Sequence, residues 1–307
     1  MTTDPARYQK KRRLNHKIML MLSSLNSQRR IAKQLNCNLK TVARKLIYLG
    51  KKALAAHEQA LITQHYNAEA IQFDELQTIE HTLKILYLDQ CDVADFNFTR
   101  FTQLEEIDLT QNENLSPEQI NQLPTSLKML ELGESDITRY NFTKFTQLKE
   151  IQLWGTENLT PDRINQLPTT LNILNLNYCN VLDVDFSKFT QLKEIQLKNA
   201  RNLTPNQINQ LPDTLKILEL YECDVADVNF TRFTQLEDIN LCDAQNLTPN
   251  QINQLPTSLN ILNLNHCNVL DVDFGRFTHL EIISLCKAKN FSGVQRAQLP
   301  TTCRILR

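Results

Sequence analysis

The 307-residue sequence predicts an α/β solenoid: a curved parallel β-sheet backed by short helices and turns, with a small all-α module ahead of it. Three observations predict it. The string Gln-Leu-Pro recurs with its proline at 124, 168, 212, 256 and 300, a constant step of 44 residues. Each step holds two shorter units, whose first leucines at 83, 104, 127, 148, 171, 192, 215, 236, 259 and 280 are 21 and 23 residues apart in alternation. Charge is also segregated. Residues 1–60 carry 14 Lys/Arg against Asp4 and Glu58, whereas residues 61–307 carry 19 against 32 Asp/Glu. The net charge of −1 therefore conceals two modules of opposite sign. The expected organisation is a basic helical module over 1–66, a junction over 67–82, and a repeat domain over 83–307 with ten full units and a truncated eleventh.

Each unit opens with the same pattern, as in Leu83-Lys-Ile-Leu86-Tyr-Leu88-Asp-Gln-Cys91 and Leu192-Lys-Glu-Ile195-Gln-Leu197-Lys-Asn-Ala200. Leucine alternation of this kind is a short strand with one face buried. A unit of 21 to 23 residues is too small to bury that face alone, so the units must stack. At about 4.8 Å per strand, ten units make a sheet on the order of 45 Å long. The returns have two chemistries. In one, running from Asn158 to Pro168, Thr160 is placed to cap a helix, Pro161 suits its first position and Pro168 stops it. The other carries phenylalanine pairs at 98/101, 142/145, 186/189, 230/233 and 274/277, which predicts a stacked aromatic spine in the core.

The LxxLxLxx[C/N/small] pattern over residues 83–307 closely resembles the leucine-rich-repeat family. That resemblance implies a recognition scaffold rather than an enzyme. The Leu-Pro-Thr/Asp-Ser/Thr-Leu entry to alternate units is similar to repeat domains of bacterial effectors that act on eukaryotic hosts, without the C-terminal catalytic domain of their ligase-type members. The chain ends at Arg307 inside an eleventh strand, where a polar cap is expected. Truncation, a gene relic or a further partner at that edge would account for this.

Strand positions three, five and seven face the concave side. Position three alternates between apolar residues (Ile85, Met129, Ile173, Ile217, Ile261) and acids (Glu106, Glu150, Glu194, Asp238). Asp89, Asp108, Glu131 and Glu219 bring the face to eight acids against one base, Lys198. Tyr87, Trp154, Tyr178 and Tyr221 stand on it or on its rim, and Trp154 is the only tryptophan. Tryptophan and tyrosine are favoured interface anchors. These residues predict an acidic groove for a basic protein or peptide, and the charge disfavours nucleic acid there.

Cys91, Cys179, Cys223 and Cys267 share the ninth position, about 9 to 10 Å apart per long repeat, too far for disulfides. Cys242 and Cys286 share another column, expected on the exposed strand edge. Free thiols in a reducing compartment follow. No Cys/His set has zinc spacing, no nucleotide-binding glycine motif occurs, and no Ser/His/Asp arrangement stands out. Neither a cofactor nor a small-molecule substrate is expected. No run of 18 apolar residues exists, and Ile18–Leu22 leads to no cleavage site, so a cytoplasmic bacterial protein is expected, with transfer into a host left open.

In the basic segment, Ile31, Ala32 and Leu35 repeat at helical spacing, Asn36-Cys37-Asn38 offers a turn, and Leu39, Val42 and Leu46 define a second helix. This resembles a helix-turn-helix, with Lys40, Thr41, Arg44 and Lys45 on the recognition helix and Arg12, Arg13, Arg29 and Arg30 available to phosphates. Through Phe73-Asp-Glu-Leu-Gln-Thr-Ile-Glu-His-Thr82 it resembles the front of an insertion-sequence transposase of the DDE class, which implies Asp74 as a metal-binding carboxylate. The repeats begin where the rest of that nuclease should follow, and one orphan carboxylate cannot hold two metal ions. Double-stranded DNA binding by residues 1–66, with or without suppression by the acidic repeats, is the competing expectation.

Overall fold

The computed structural model describes residues 83–306 apart from Asp92, Asp95, Glu113, Thr138 and Glu157. The basic module, the junction and the candidate DNA-binding residues named above lie outside the described residues.

Eleven strands pair in chain order, all parallel, into one sheet. They are β1 (Ile85–Tyr87), β2 (Glu106–Asp108), β3 (Met129–Glu131), β4 (Glu150–Gln152), β5 (Ile173–Asn175), β6 (Glu194–Gln196), β7 (Ile217–Glu219), β8 (Asp238–Asn240), β9 (Ile261–Asn263), β10 (Ile282–Ser284) and β11 (Arg304–Leu306). Each is three residues long, since only the Leu-x-Leu core of the unit is extended. Positions one, four and six of each unit point inward, and from Leu104 to Leu285 those side chains are fully buried or nearly so. The buried row continues from unit to unit, which is why no unit is stable by itself.

The long returns form α1 (Pro117–Gln122), α2 (Pro161–Asn165), α3 (Pro205–Ile208), α4 (Pro249–Asn253) and α5 (Gly293–Gln298). Four start with a capping box, in which a Ser or Thr side chain accepts from the glutamine N–H three residues on and that glutamine's side chain accepts from the cap N–H. The same glutamine also reaches backwards. Nε2 of Gln207 donates to the carbonyls of Val181 and Val184, and Nε2 of Gln251 to those of Val225 and Val228, at 2.7 to 3.3 Å. One buried side chain thus caps its own helix and satisfies two carbonyls of the preceding unit. The exception is α2. Thr160 has cap geometry but makes no side-chain cap hydrogen bond, contrary to the expectation from its sequence, and Arg163, standing where the others have glutamine, offers no side-chain acceptor for the reciprocal half of the box.

The short returns bury all ten phenylalanines of the paired columns. Four of the pairs lie 6.4 to 6.5 Å apart and are tilted within their own unit. The expected continuous stack does not form. Phenylalanine enters only every second strand, roughly 9.6 Å apart, too far for ring contact. Ile120, Ile164, Ile208 and Ile252 are buried in the units between.

At position nine, the thiols of Cys179, Cys223 and Cys267 donate to the carbonyls of Leu153, Leu197 and Leu241 at 2.9 to 3.0 Å. Asn112 donates to Leu88 in the same way. Cys179, Cys223, Cys242, Cys267, Cys286 and Cys303 are all thiols outside any disulfide. Burial pushes the three thiols up, to about 11, about 12 and about 11. The structure corrects one expectation. Cys242 is not on an exposed edge but buried, beside Asp243.

Two outcomes follow. Arg163→Gln completes the missing capping box and raises stability by about 1 kcal/mol in urea unfolding, whereas Gln251→Ala lowers it by about 2 kcal/mol. At pH 8 a maleimide leaves Cys179, Cys223 and Cys267 unmodified in the native protein while reaching Cys286, and all four react in urea, as peptide mass analysis would show.

Candidate protein-binding face and rim

The concave surface is built from strand positions three, five and seven. Along position three, adjacent partners read Ile85, Glu106, Met129, Glu150, Ile173, Glu194, Ile217, Asp238 and Ile261. Hydrocarbon and carboxylate therefore alternate at each strand spacing. All eight predicted acids, Asp89 included, are half-buried, while Tyr87 is 63% and Tyr178 45% exposed.

Amides tie many of the carboxylates down. Gln152 donates to Glu150 and Gln196 to Glu194, at 2.9 and 2.6 Å. Asn240 donates to Glu219 at 2.7 Å, and Asn175 to Gln152 at 2.7 Å. These neutral donors hold the acids in place without cancelling their charge. Two acids pay electrostatically for this setting. Burial first, and then the Glu194 charge, raises the Asp238 carboxyl above its ordinary value. Glu219 is likewise raised by burial, against the lowering effect of the Asn240 hydrogen bond.

Beyond the strands, position eight turns the chain. From Gln90 to Lys287 the ten residues there all have φ between +50° and +68°, yet only Gly155 is a glycine. A left-handed conformation disfavours residues with a Cβ. Backbone bonds hold it: the Tyr178 N–H donates to Lys198 and the Glu222 N–H to Cys242, at 2.8 and 3.0 Å. Position eight therefore projects a regular rim of side chains.

Trp154, Tyr178, Lys198 and Tyr221 stand together on this rim and the adjacent column, in four consecutive units. The Trp154 ring lies across Gly133, where a Cβ would meet it at 2.4 Å, so the glycine is its seat. Lys198 Nζ sits 4.6 Å from the Tyr221 ring centre and 5.6 Å from that of Tyr178. Its hydrogen bond to Tyr178, with Glu219 and Glu222 nearby, holds its ammonium above the usual value. The role of Gly133 was not foreseen from the sequence, although an isolated glycine one unit before the sole tryptophan was a usable signal.

Among the described residues, no group of three or more His, Cys, Asp or Glu could hold a metal ion, and no helix is long and apolar enough to cross a membrane.

No family model matches the chain, and no curated protein does. Solved structures do. A TLR13–ssRNA13 complex matches with a TM-score of 0.54 and 18% identity, over 75% of this chain and 36% of that one. The fold is a leucine-rich-repeat solenoid. An internalin, InlF from Listeria monocytogenes, is similar at 18% identity and a TM-score of 0.46, over 76% of this chain and 70% of its own. The leucine-rich repeat-containing protein LegL7 from Legionella pneumophila is similar at 14% and 0.44, over 72% and 89%.

The raised acids give a signed pH effect. A carboxyl held higher in the folded than in the unfolded protein binds its proton more tightly when folded, so its ionisation destabilises the fold. That loss develops as pH rises from the ordinary carboxylate value through the raised one. Asp238→Asn is accordingly more stable than the parent at pH 7, with the difference vanishing near pH 3, as paired urea titrations would show.

Proposed function

We propose that the chain is a non-enzymatic protein-interaction module whose concave face receives a basic protein or peptide. The observation that carries this reading is the row of half-buried carboxylates on alternate strands from Glu106 to Asp238, next to the Trp154–Tyr221 ridge. Half-buried charges interact more strongly than fully solvated ones, and the apolar residues between them supply contact area. Tyr87, Asp89, Asp108, Glu131 and Glu219 extend the surface at positions five and seven.

An RNA ligand, as in the TLR13 complex, is not favoured on this face: a phosphate backbone would meet eight acids and one lysine. The likeness of the Leu-Pro-Thr-Ser/Thr-Leu entries to bacterial effector repeats supports an effector-like role, with the partner in a host.

Capture experiments with the full chain test the proposal. The parent protein retains a basic partner that is released as salt rises. A variant carrying Glu106→Lys, Glu150→Lys, Glu194→Lys and Asp238→Lys, with unchanged circular dichroism, loses it. If both proteins retain the same species, the groove is not the binding surface.

A further inference from the structure

The rim of position-eight side chains is interrupted once. Gly155 follows Glu134 and precedes Tyr178 in the column, and the missing side chain opens a slot of about 490 Å3. Glu134, Trp154, Gly155, Tyr178, Asn199 and Arg201 line it. Strand order fixes its polarity: Glu134 belongs to the third unit, Trp154 and Gly155 to the fourth, Tyr178 to the fifth, and Asn199 with Arg201 to the sixth.

We propose that the Glu134–Trp154 end of this slot takes an arginine or lysine side chain of the partner, and so deepens the interaction reading above, on which it rests. Three observations carry this. The slot combines two aromatic walls with a carboxylate, and the faces of tryptophan and tyrosine attract cations. Trp154 is pinned on Gly133, which orients its ring without a partner present. The third is an internal precedent. One unit further along, Lys198 of this chain already occupies such a site, over Tyr221 and Tyr178 with Glu219 and Glu222 close by.

Arg201 belongs to the sixth unit, three strand spacings (roughly 14 Å of backbone) from that of Glu134, so it stands at the end of the slot away from the carboxylate. Its guanidinium and the Asn199 amide are placed instead to donate to a carbonyl or carboxylate further along the same bound segment. Glu134 receives a hydrogen bond from the Gln111 amide, which fixes the carboxylate and leaves its charge in place.

Because Trp154 is the only tryptophan, its fluorescence in the full chain reports on this slot alone. The probe is N-acetyl-arginine amide, with N-acetyl-citrulline amide as its uncharged counterpart of nearly the same shape. A saturable change with the arginine compound, at least fivefold weaker with citrulline, is expected. Glu134→Gln, an exposed substitution that leaves packing alone, weakens the arginine response about fivefold. Gly155→Ala abolishes it, since the new Cβ meets Glu134 Cγ at 2.9 Å. The variant with four lysines on the concave face keeps the response at 150 mM salt, which separates this slot from the groove: partner capture that persists in this variant sinks only the groove reading. Equal responses to arginine and citrulline, no change with Glu134→Gln, or no saturable response in the parent would each overturn the proposal.

Discussion

The structure depends on register between neighbouring units. A three-residue strand buries too little apolar surface to stand alone, and its N–H and C=O groups find partners only in adjacent units. Leu86 lies beside Ile107, Ile107 beside Leu130 and Leu130 beside Ile151, so each inward row continues without a gap. The capping glutamines extend the same dependence to the outer layer, because Gln207 and Gln251 close carbonyls that belong to the unit before. Stability is therefore shared between nearest neighbours. A lesion such as Arg163 at the glutamine position weakens one helix cap and the turn behind it, and leaves units further along intact.

Register also explains the rim. Each unit must leave its strand sharply enough to bring position nine back to the interior, and ten successive residues do so through a left-handed turn. Glycine would adopt that turn most easily, yet nine of the ten carry side chains. Inter-unit hydrogen bonds from Gln111 through His266 hold residues as bulky as Tyr178 and His266 there. The single glycine is thus not needed for the turn. Its effect is to remove a side chain, which is what opens the slot beside Trp154.

Much of this was legible in the sequence. Period, strand, buried leucines and the identity of the concave columns all follow from spacing, because a repeat forces chemically similar residues into similar places. What was not legible depends on neighbours across the stack. Gln119, Gln207, Gln251 and Gln295 read as polar surface of a short helix, and their burial makes sense only with the facing carbonyls in view. Cys242 reads as outward by its position, but it is a small residue between Tyr221 and Asn265 in its column. Its thiol is buried and donates to the neighbouring Asp243 carboxylate. The phenylalanine columns read as continuous because sequence distance hides the intervening unit.

A face that repeats every second strand has a limitation as a recognition surface. Carboxylates about 9.6 Å apart attract a cationic chain strongly but nearly equally at every register, since sliding the chain by one long repeat restores almost the same contacts. Electrostatics of this kind sets encounter rate more than alignment. Alignment has to come from a place where the copies differ. Three such differences coincide in adjacent units: Gly133 replaces the larger residues of its column, Trp154 fills the space that Gly133 leaves, and Gly155 deletes a rim side chain beside it. Each alone would weaken packing or leave an idle gap. Together they seat one ring rigidly and open one slot against it, which breaks the translational symmetry of the groove at a single point. A partner steered by the acidic row would acquire its register there, with the repeats supplying attraction and the irregular units supplying position.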